Sequence, residues 1–328
     1  MVASTPVGDA PQGPARSSML AWRVHNFGPP EAMTLERIAT PDPGPDQVLV
    51  KIHAAGVGPW DAWIRAGKSA LPQPLPLTLG SDLSGTVAAI GPGPSGIGIG
   101  DDVFGVTNTQ FLGAYAEYAV ASRGMLAKKP RSLTYAEAAS IPVVAVTAWQ
   151  ALFDHAGLEA GQTVVILGAA GNVGAYAVQF ARRANLRSIA TAGPEDVEYV
   201  RSLGADKVVN YRAQNFLDEV ENADAVIDLV GGETQNRSFQ VLRPGGKLIS
   251  AVSEPDQGRA NRHNVTALFF LVEVTSERLR EIADLVDRGE LKTHVGVVLP
   301  FADAREAHMI LDGRSRPAKG KVVLDLQR

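Results

Sequence analysis

Residues 163–174 read TVVILGAAGNVG, and the order of residue types in this stretch decides the fold. The β-branched run Val164, Val165 and Ile166 predicts a buried strand that stops at Gly168. A glycine-rich turn follows, and residues 175–184 continue as a helix. Strand, glycine turn and helix in that order are the context in which a glycine fingerprint binds a dinucleotide. Gly171 has no Cβ, so the backbone can approach a pyrophosphate there, and Gly174 lets the helix pack closely on the strand. The helix start, with Asn172 and Val173, offers unpaired amides and a positive dipole end to phosphate. The spacing is GxxGxxG, with Ala169 in place of the first glycine of the commoner motif.

Towards the C-terminus the pattern alternates. Strands are expected at 188–191, 207–209, 225–229 and 247–251, with helices at 175–184, 195–203, 213–221 and 233–242 between them. Such alternation predicts an α/β fold with a parallel, doubly wound sheet. Towards the N-terminus the pattern is mostly β. Short strands at 20–24, 47–54, 83–90, 102–106 and 115–120 are set apart by turns such as PDPGPDQ at 41–47, which suggests a barrel-like unit. The glycines of GPGPSGIGIGD, 91–101, have no helix behind them and read as turn formers. Helices at 136–139 and 146–156 mark the change of period. Amphipathic helices at 276–288 and 302–311 and a strand at 321–326 follow, and this tail is expected to return to the first unit.

The 328 residues suggest about two domains. Hydrophobic residues make up 45% and charged residues 20%, as in proteins with sizeable cores. A net charge of −4 argues against nucleic acid or anionic membranes as partners. No apolar run approaches the roughly 20 residues that span a bilayer. The chain has no cysteine, which excludes disulfides, cysteine–zinc sites and a thiol nucleophile. Residues 1–18, rich in Pro, Gly, Ala and Ser, read as a disordered tail without the apolar core of a signal peptide, and the expected location is cytoplasmic.

Several blocks together resemble one family. They are AAGVGPWDAWIRAG (54–67), LGSDLSGTVAAIG (79–91), GAYAEYAV (113–120), AASIPVVAVTAWQAL (138–152), GAAGNVG, LGADKVVNYR (203–212), DLVGG (228–232) and GKVVLD (320–325). In this order they are similar to the zinc-independent medium-chain dehydrogenase/reductases of the quinone oxidoreductase (zeta-crystallin-like) type. The resemblance implies a GroES-like β-barrel catalytic domain, 19–143 and 277–328, interrupted by a Rossmann domain, 144–276, with the active site in the cleft between them.

Zinc-dependent relatives place a cysteine in the first block and a His-Glu pair in the second. Gly58 and Ser81-Asp82 stand at those places, and the six histidines are scattered without ligand spacing, so no metal is expected. The end of the second Rossmann strand, Thr191, Ala192 and Gly193, carries no carboxylate to bind a ribose 2′-hydroxyl. The resemblance places Tyr211 near a 2′-phosphate, with Arg212 beside it. Both features favour NADP(H), whereas Glu195 and Asp196 just after the turn oppose it.

The resemblance also implies a substrate pocket at Gly58, Trp60 and Trp63, where the family pattern is Asn-Pro-x-Asp followed by an aromatic and an arginine. Aromatic walls suit planar conjugated ligands. Asp61 and Arg65, four apart, are expected to pair on a helix. Thr147, at the opening of the linking helix, and Phe269, Phe270 and Leu271 match positions at the nicotinamide end. Val230 and Gly231 end the fourth strand, where a dinucleotide crosses the sheet. No general acid stands out; Asp82 is the candidate polar group. The expected activity is NADPH-dependent reduction of quinones, enones or enals by a homodimer paired near 264–274. An enoyl-thioester reductase, or a cofactor-binding protein with a mainly non-catalytic role, are the alternatives. The basic residues Arg314, Arg316 and Lys319 are expected on a solvated turn.

Overall fold

The computed structural model describes residues 17–94, 96–315 and 319–327. The expected tail lies outside them up to residue 16, and the fold already begins with the strand Ser18–Val24, antiparallel to Met33–Ala39. The first β unit centres on the eleven-residue strand Gln47–Val57. It pairs with Asp82–Ile90, with Tyr118–Ser122 and with the late strand Lys321–Asp325. The outer members of this sheet are Val295–Pro300 on one side and Asp102–Val106 with Leu126–Lys128 on the other. Val48, Val50, Ile52, Leu83, Val103 and Tyr115 fill its interior.

The second unit is a six-stranded parallel sheet. Its order is Lys207–Asn210, Arg187–Ala192, Thr163–Leu167, Ala223–Asp228, Leu242–Ser250, Thr266–Phe269. In chain order that is 3-2-1-4-5-6, so the switch point lies beside Thr163–Leu167. The central strand is apolar on both faces, as a covered parallel strand must be. Val164 and Ile166 pack with Tyr176 and Phe180 on one side; Val165 and Leu167 pack with Phe216, Phe239 and Leu248 on the other.

The two units are joined by the helix Pro142–Trp149, which runs on as one π-helical stretch, Gln150–His155. Pro142 to Ala148 are all buried, which explains why the helix is apolar all round. The helix starts four residues before its expected opening, so Thr147 lies inside it and donates its hydroxyl to Val143 O. The helix Ser276–Asp287 lies in the same apolar cluster as Val164 and Phe180, and it also touches Met125 and Ala127 of the barrel. The expected helix at 213–221 is only a 3₁₀ turn, Phe216–Asp218. There the Asn215 side chain accepts from Leu217 N and from Arg237, a local alternative to helical hydrogen bonding. No described helix is long and apolar enough to cross a membrane.

Candidate active site

On the dinucleotide side, Thr163–Leu167 delivers the chain to Gly168, whose φ of +77° turns it toward the helix Asn172–Arg183. Gly171 is the N-cap in extended conformation, and the first-turn amides of Asn172, Val173 and Gly174 have no partner within the helix. Gly174 is held to glycine by contact: a Cβ there would lie 2.6 Å from Ala169 Cα. Thr191 anchors the turn, accepting from Gly168 N through its hydroxyl and from Ala169 N through its carbonyl. Thr191, Ala192 and Gly193 are all buried, and the chain first reaches the surface at Pro194 and Glu195.

The strand Ala223–Asp228 ends two residues before Val230. Buried Asp228 accepts from Val230 N and Gly231 N with one oxygen and from Gln235 and Ser250 with the other, which fixes the loop. Val230 is half exposed and leans on the glycine turn: a Cβ at Gly168 would meet its Cγ2 at 3.0 Å. Phe270 points into the core against His155, and its amide is already used by Ser250 O, while Phe269 is half-buried and Leu271 is exposed.

At the adenosine end, the Glu195 carboxylate folds over Gly193, where a Cβ would lie 3.0 Å from Glu195 Oε2. Arg212 Nη2 stands 3.6 Å from the other Glu195 oxygen. Lys319 Nζ bonds Asp196 at 2.7 Å and the Glu195 carbonyl at 3.3 Å. Arg314 pairs with Glu31, so neither it nor Lys319 is merely solvated, and Arg316 lies outside the described residues. Tyr211 is 56% exposed, with its amide on Ala192 O.

On the barrel side, the helix Pro59–Arg65 opens at Gly58, whose amide donates to Asp61 Oδ2 at 2.8 Å. The Trp60 indole lies on Gly58, so that a Cβ there would sit 2.5 Å from Trp60 Cζ3. Trp60 Nε1 donates to Ser81 Oγ at 3.0 Å, and the Lys321 ammonium is 4.2 Å from its ring centroid. Lys321 Nζ also bonds Asp82 Oδ2 at 2.9 Å, while Val143 N donates to Asp82 Oδ1 at 3.1 Å. Asp82 is therefore no free polar group: both of its oxygens are used and it is sealed from solvent. Burial pushes its carboxyl upward, against the pull of Lys321. Trp63 is 45% exposed and joins neither core, so it stands apart from Trp60.

The expected Asp61–Arg65 pair does not form. Arg65 instead donates to His308 Nδ1 at 2.9 Å, Asp312 at 2.7 Å and Gly28 O at 3.1 Å. An arginine cannot accept, so His308 is neutral with its proton on Nε2; burial, then Arg65, push its pKa down to about 3. Asp61 accepts from Tyr115 OH at 3.1 Å and leaves Oδ1 unpartnered, and burial raises its pKa to about 7. The helix turns Arg65 toward Ala304–Leu311, a neighbour no local spacing could reveal.

This donor set does not fit zinc. Gly58 has no side chain, the space beside it holds indole, the Ser81 hydroxyl is taken by Trp60, and Asp82 is neutralised by Lys321. Among the described residues no three His, Asp or Glu side chains are grouped to hold a metal ion. A nicotinamide dinucleotide does fit, at the free amides of Asn172–Gly174 beside Val230.

Comparison with known proteins agrees with this architecture. Residues 44–131 match the family described as alcohol dehydrogenase GroES-like domain, and 203–324 the one described as zinc-binding dehydrogenase. The human quinone oxidoreductase is 34% identical over 93% of this chain and 97% of its own. The chain belongs to the quinone oxidoreductase-like medium-chain dehydrogenase/reductases.

Within this oxidoreductase family, a 2-methylene-furan-3-one reductase of Solanum lycopersicum is 32% identical over 94% of this chain and 79% of its own. The solved quinone oxidoreductase of Coxiella burnetii superposes with a TM-score of 0.87 at 31% identity, covering 94% of this chain and all of that one. A mycobacterial member solved with NADPH gives 0.82 at 30% identity, with 94% and 99% coverage. The GroES-like barrel and the Rossmann sheet are thus those of the medium-chain dehydrogenase/reductases. Sequence reasoning missed Lys321, Asp228 and His308. The first two lay in recognised blocks but were read only as strand.

Proposed function

We propose that the protein reduces quinones, enones or enals with NADPH and without a metal. The observation that carries this reading is the Trp60–Lys321–Asp82 assembly, which fills with indole and a closed ion pair the place where a catalytic metal would need open ligands. When bound, the nicotinamide supplies a hydride. Without a Lewis acid to hold an alkoxide, simple alcohols are poor substrates. A conjugated acceptor is better suited: its β-carbon is already electrophilic, and the forming enolate needs only hydrogen bonds.

The chain's own residues supply orientation. The turn 168–171 and the amides of Asn172–Gly174 fix the phosphates, and Val230 borders the path of the cofactor across the switch point. Trp60 offers a flat wall for a planar acceptor. At the adenosine end, Arg212 and Lys319 hold the carboxylates of Glu195 and Asp196, which supports a 2′-phosphate beside Tyr211. Asp82, the candidate polar group, is closed off by Lys321 and Val143 N, which leaves water to supply the α-proton.

The names of the relatives, quinone oxidoreductases and an enone reductase, support the same class. The test uses C4-deuterated NADPH and methyl vinyl ketone. Deuterium should appear at the β-carbon, and D₂O should label the α-carbon. Oxidation of ethanol or benzyl alcohol with no turnover of conjugated carbonyls overturns the reading.

A further inference from the structure

A narrow crevice separates the glycine turn from the barrel unit. Gly171, Asn172 and Tyr176 line it on the dinucleotide side; Lys292, Thr293 and Lys321 face them. Among the described residues no carboxylate lines it. We propose that Lys292, with the Tyr176 hydroxyl, forms a second jaw that grips the cofactor pyrophosphate from the barrel side. This rests on the nicotinamide-cofactor reading above.

Three observations carry the proposal. The first is placement. Gln179 Nε2 donates both to Ala175 O at 3.1 Å and to Lys292 O at 3.0 Å, and Lys292 N donates to Gln179 Oε1 at 2.8 Å. The side chain of Gln179 thus leans back along its helix, as helical side chains do, and carries the backbone of Lys292 over Ala175. Ala175 is four residues from Gly171, about 6 Å of helix rise. A four-carbon stem spans that interval.

The second is charge. The Lys292 ammonium makes no ion pair among the described residues, whereas Lys321 is already paired with Asp82. Lys292 is therefore the free cation at a crevice that also holds the positive end of a twelve-residue helix. The third is an orphan. The Tyr176 hydroxyl is buried without a hydrogen bond of good geometry, although Ser140 and Thr293 are close by. A buried hydroxyl without a partner is costly, and a phosphate oxygen would satisfy it. The Ser140–Thr293 hydroxyl bond also holds the segment that carries Lys292.

The experiment titrates the full-length protein and its Lys292→Gln variant with NADPH, with ADP-ribose, which carries the pyrophosphate, and with 2′-AMP, which has no 5′-phosphate. Loss of one charge-assisted contact should weaken NADPH and ADP-ribose roughly tenfold. Binding of 2′-AMP should be unchanged, and the salt dependence of ADP-ribose binding should become shallower. Lys128→Gln, a surface lysine paired with Asp101 elsewhere, should leave all three affinities alone. Tyr176→Phe should weaken ADP-ribose and spare 2′-AMP. Unchanged ADP-ribose affinity in Lys292→Gln, or equal weakening of 2′-AMP, overturns the jaw while leaving the cofactor reading intact. A wild-type protein that binds neither NADPH nor ADP-ribose overturns both.

Discussion

Lys321 Nζ lies 2.9 Å from Asp82 Oδ2, with both side chains closed off from water, 239 positions apart in the chain. The pair ties the strand Asp82–Ile90 to the late strand Lys321–Asp325, and through Val143 N it also touches the linking helix. Burying two charges is expensive, so the pair is stable only as a pair. Lys321→Met should cost about 3–5 kcal/mol in urea unfolding, because a bare carboxylate stays behind. Asp82→Leu added to Lys321→Met should recover most of that. A single variant as stable as wild type would show that Asp82 simply takes up a proton.

Asp61 gives a pH dependence. Its folded pKa, about 7, lies above the ordinary carboxylate value because it is buried. Between these two values the folded state binds more protons than the unfolded state, so stability should fall as pH rises from about 4 to 7. Asp61→Asn should flatten that slope. Melting temperatures of both proteins across this range decide it, and identical profiles exclude Asp61 as the source.

Gly58 and Trp60 form a matched pair. Gly58→Asn restores the family's usual side chain but drives its Cβ into the indole. The change should cost about 1–3 kcal/mol, as overpacking does. In Gly58→Asn/Trp60→Ser the clash is gone, and the melting temperature should rise again. If Gly58→Asn alone is neutral, the indole swings freely.

The Glu195–Arg212 contact is expected to tune the choice between NADPH and NADH. Glu195→Gln should favour NADPH, and Arg212→Gln should move preference toward NADH. Both groups are exposed, so each shift should stay within about fivefold. A wild-type protein that binds NADH more tightly than NADPH would mean that Glu195 governs the ribose.

Thr266–Phe269 is the last strand of the six-stranded sheet, with one edge open among the described residues. Open edges invite pairing, and exposed Leu271 lies just beyond this one. Light scattering at micromolar concentration should report a dimer, and Leu271→Lys should shift it to monomer. A monomeric wild type removes the edge as an interface.

What the sequence made legible was local. The glycine turn could be read because strand, turn and helix adjoin within twelve residues. The parallel sheet could be read because strand-like and helix-like segments alternate around a central strand that is apolar on both faces. Met33–Ala39 and Val295–Pro300 escaped because they are half exposed and alternate poorly. The helix Gln257–His263 escaped because only Ala260 in it is buried. At the site, Gly58 and Trp60 were singled out, but their mutual contact was not. Asp82 was noticed and its partner was not, because no spacing rule joins residues so far apart. The i, i+4 rule offered Asp61 a partner in Arg65, but Arg65 is drawn instead to His308 and Asp312 across the barrel.

The place of Lys321–Asp325 beside Gln47–Val57 bears on the order of events on the ribosome. The six parallel strands lie in one uninterrupted run of sequence, and that unit can close while synthesis continues. The barrel cannot: Lys321–Asp325, an inner strand of its sheet, is made only after the whole parallel unit. Until that strand emerges, Asp82 waits without its lysine and Val57 without Val322. The nascent barrel is thus an unfinished sheet with an open slot, held beside a completed neighbour. A chain stopped shortly before residue 320 should leave the ribosome with a folded dinucleotide unit and an exposed, chaperone-binding barrel.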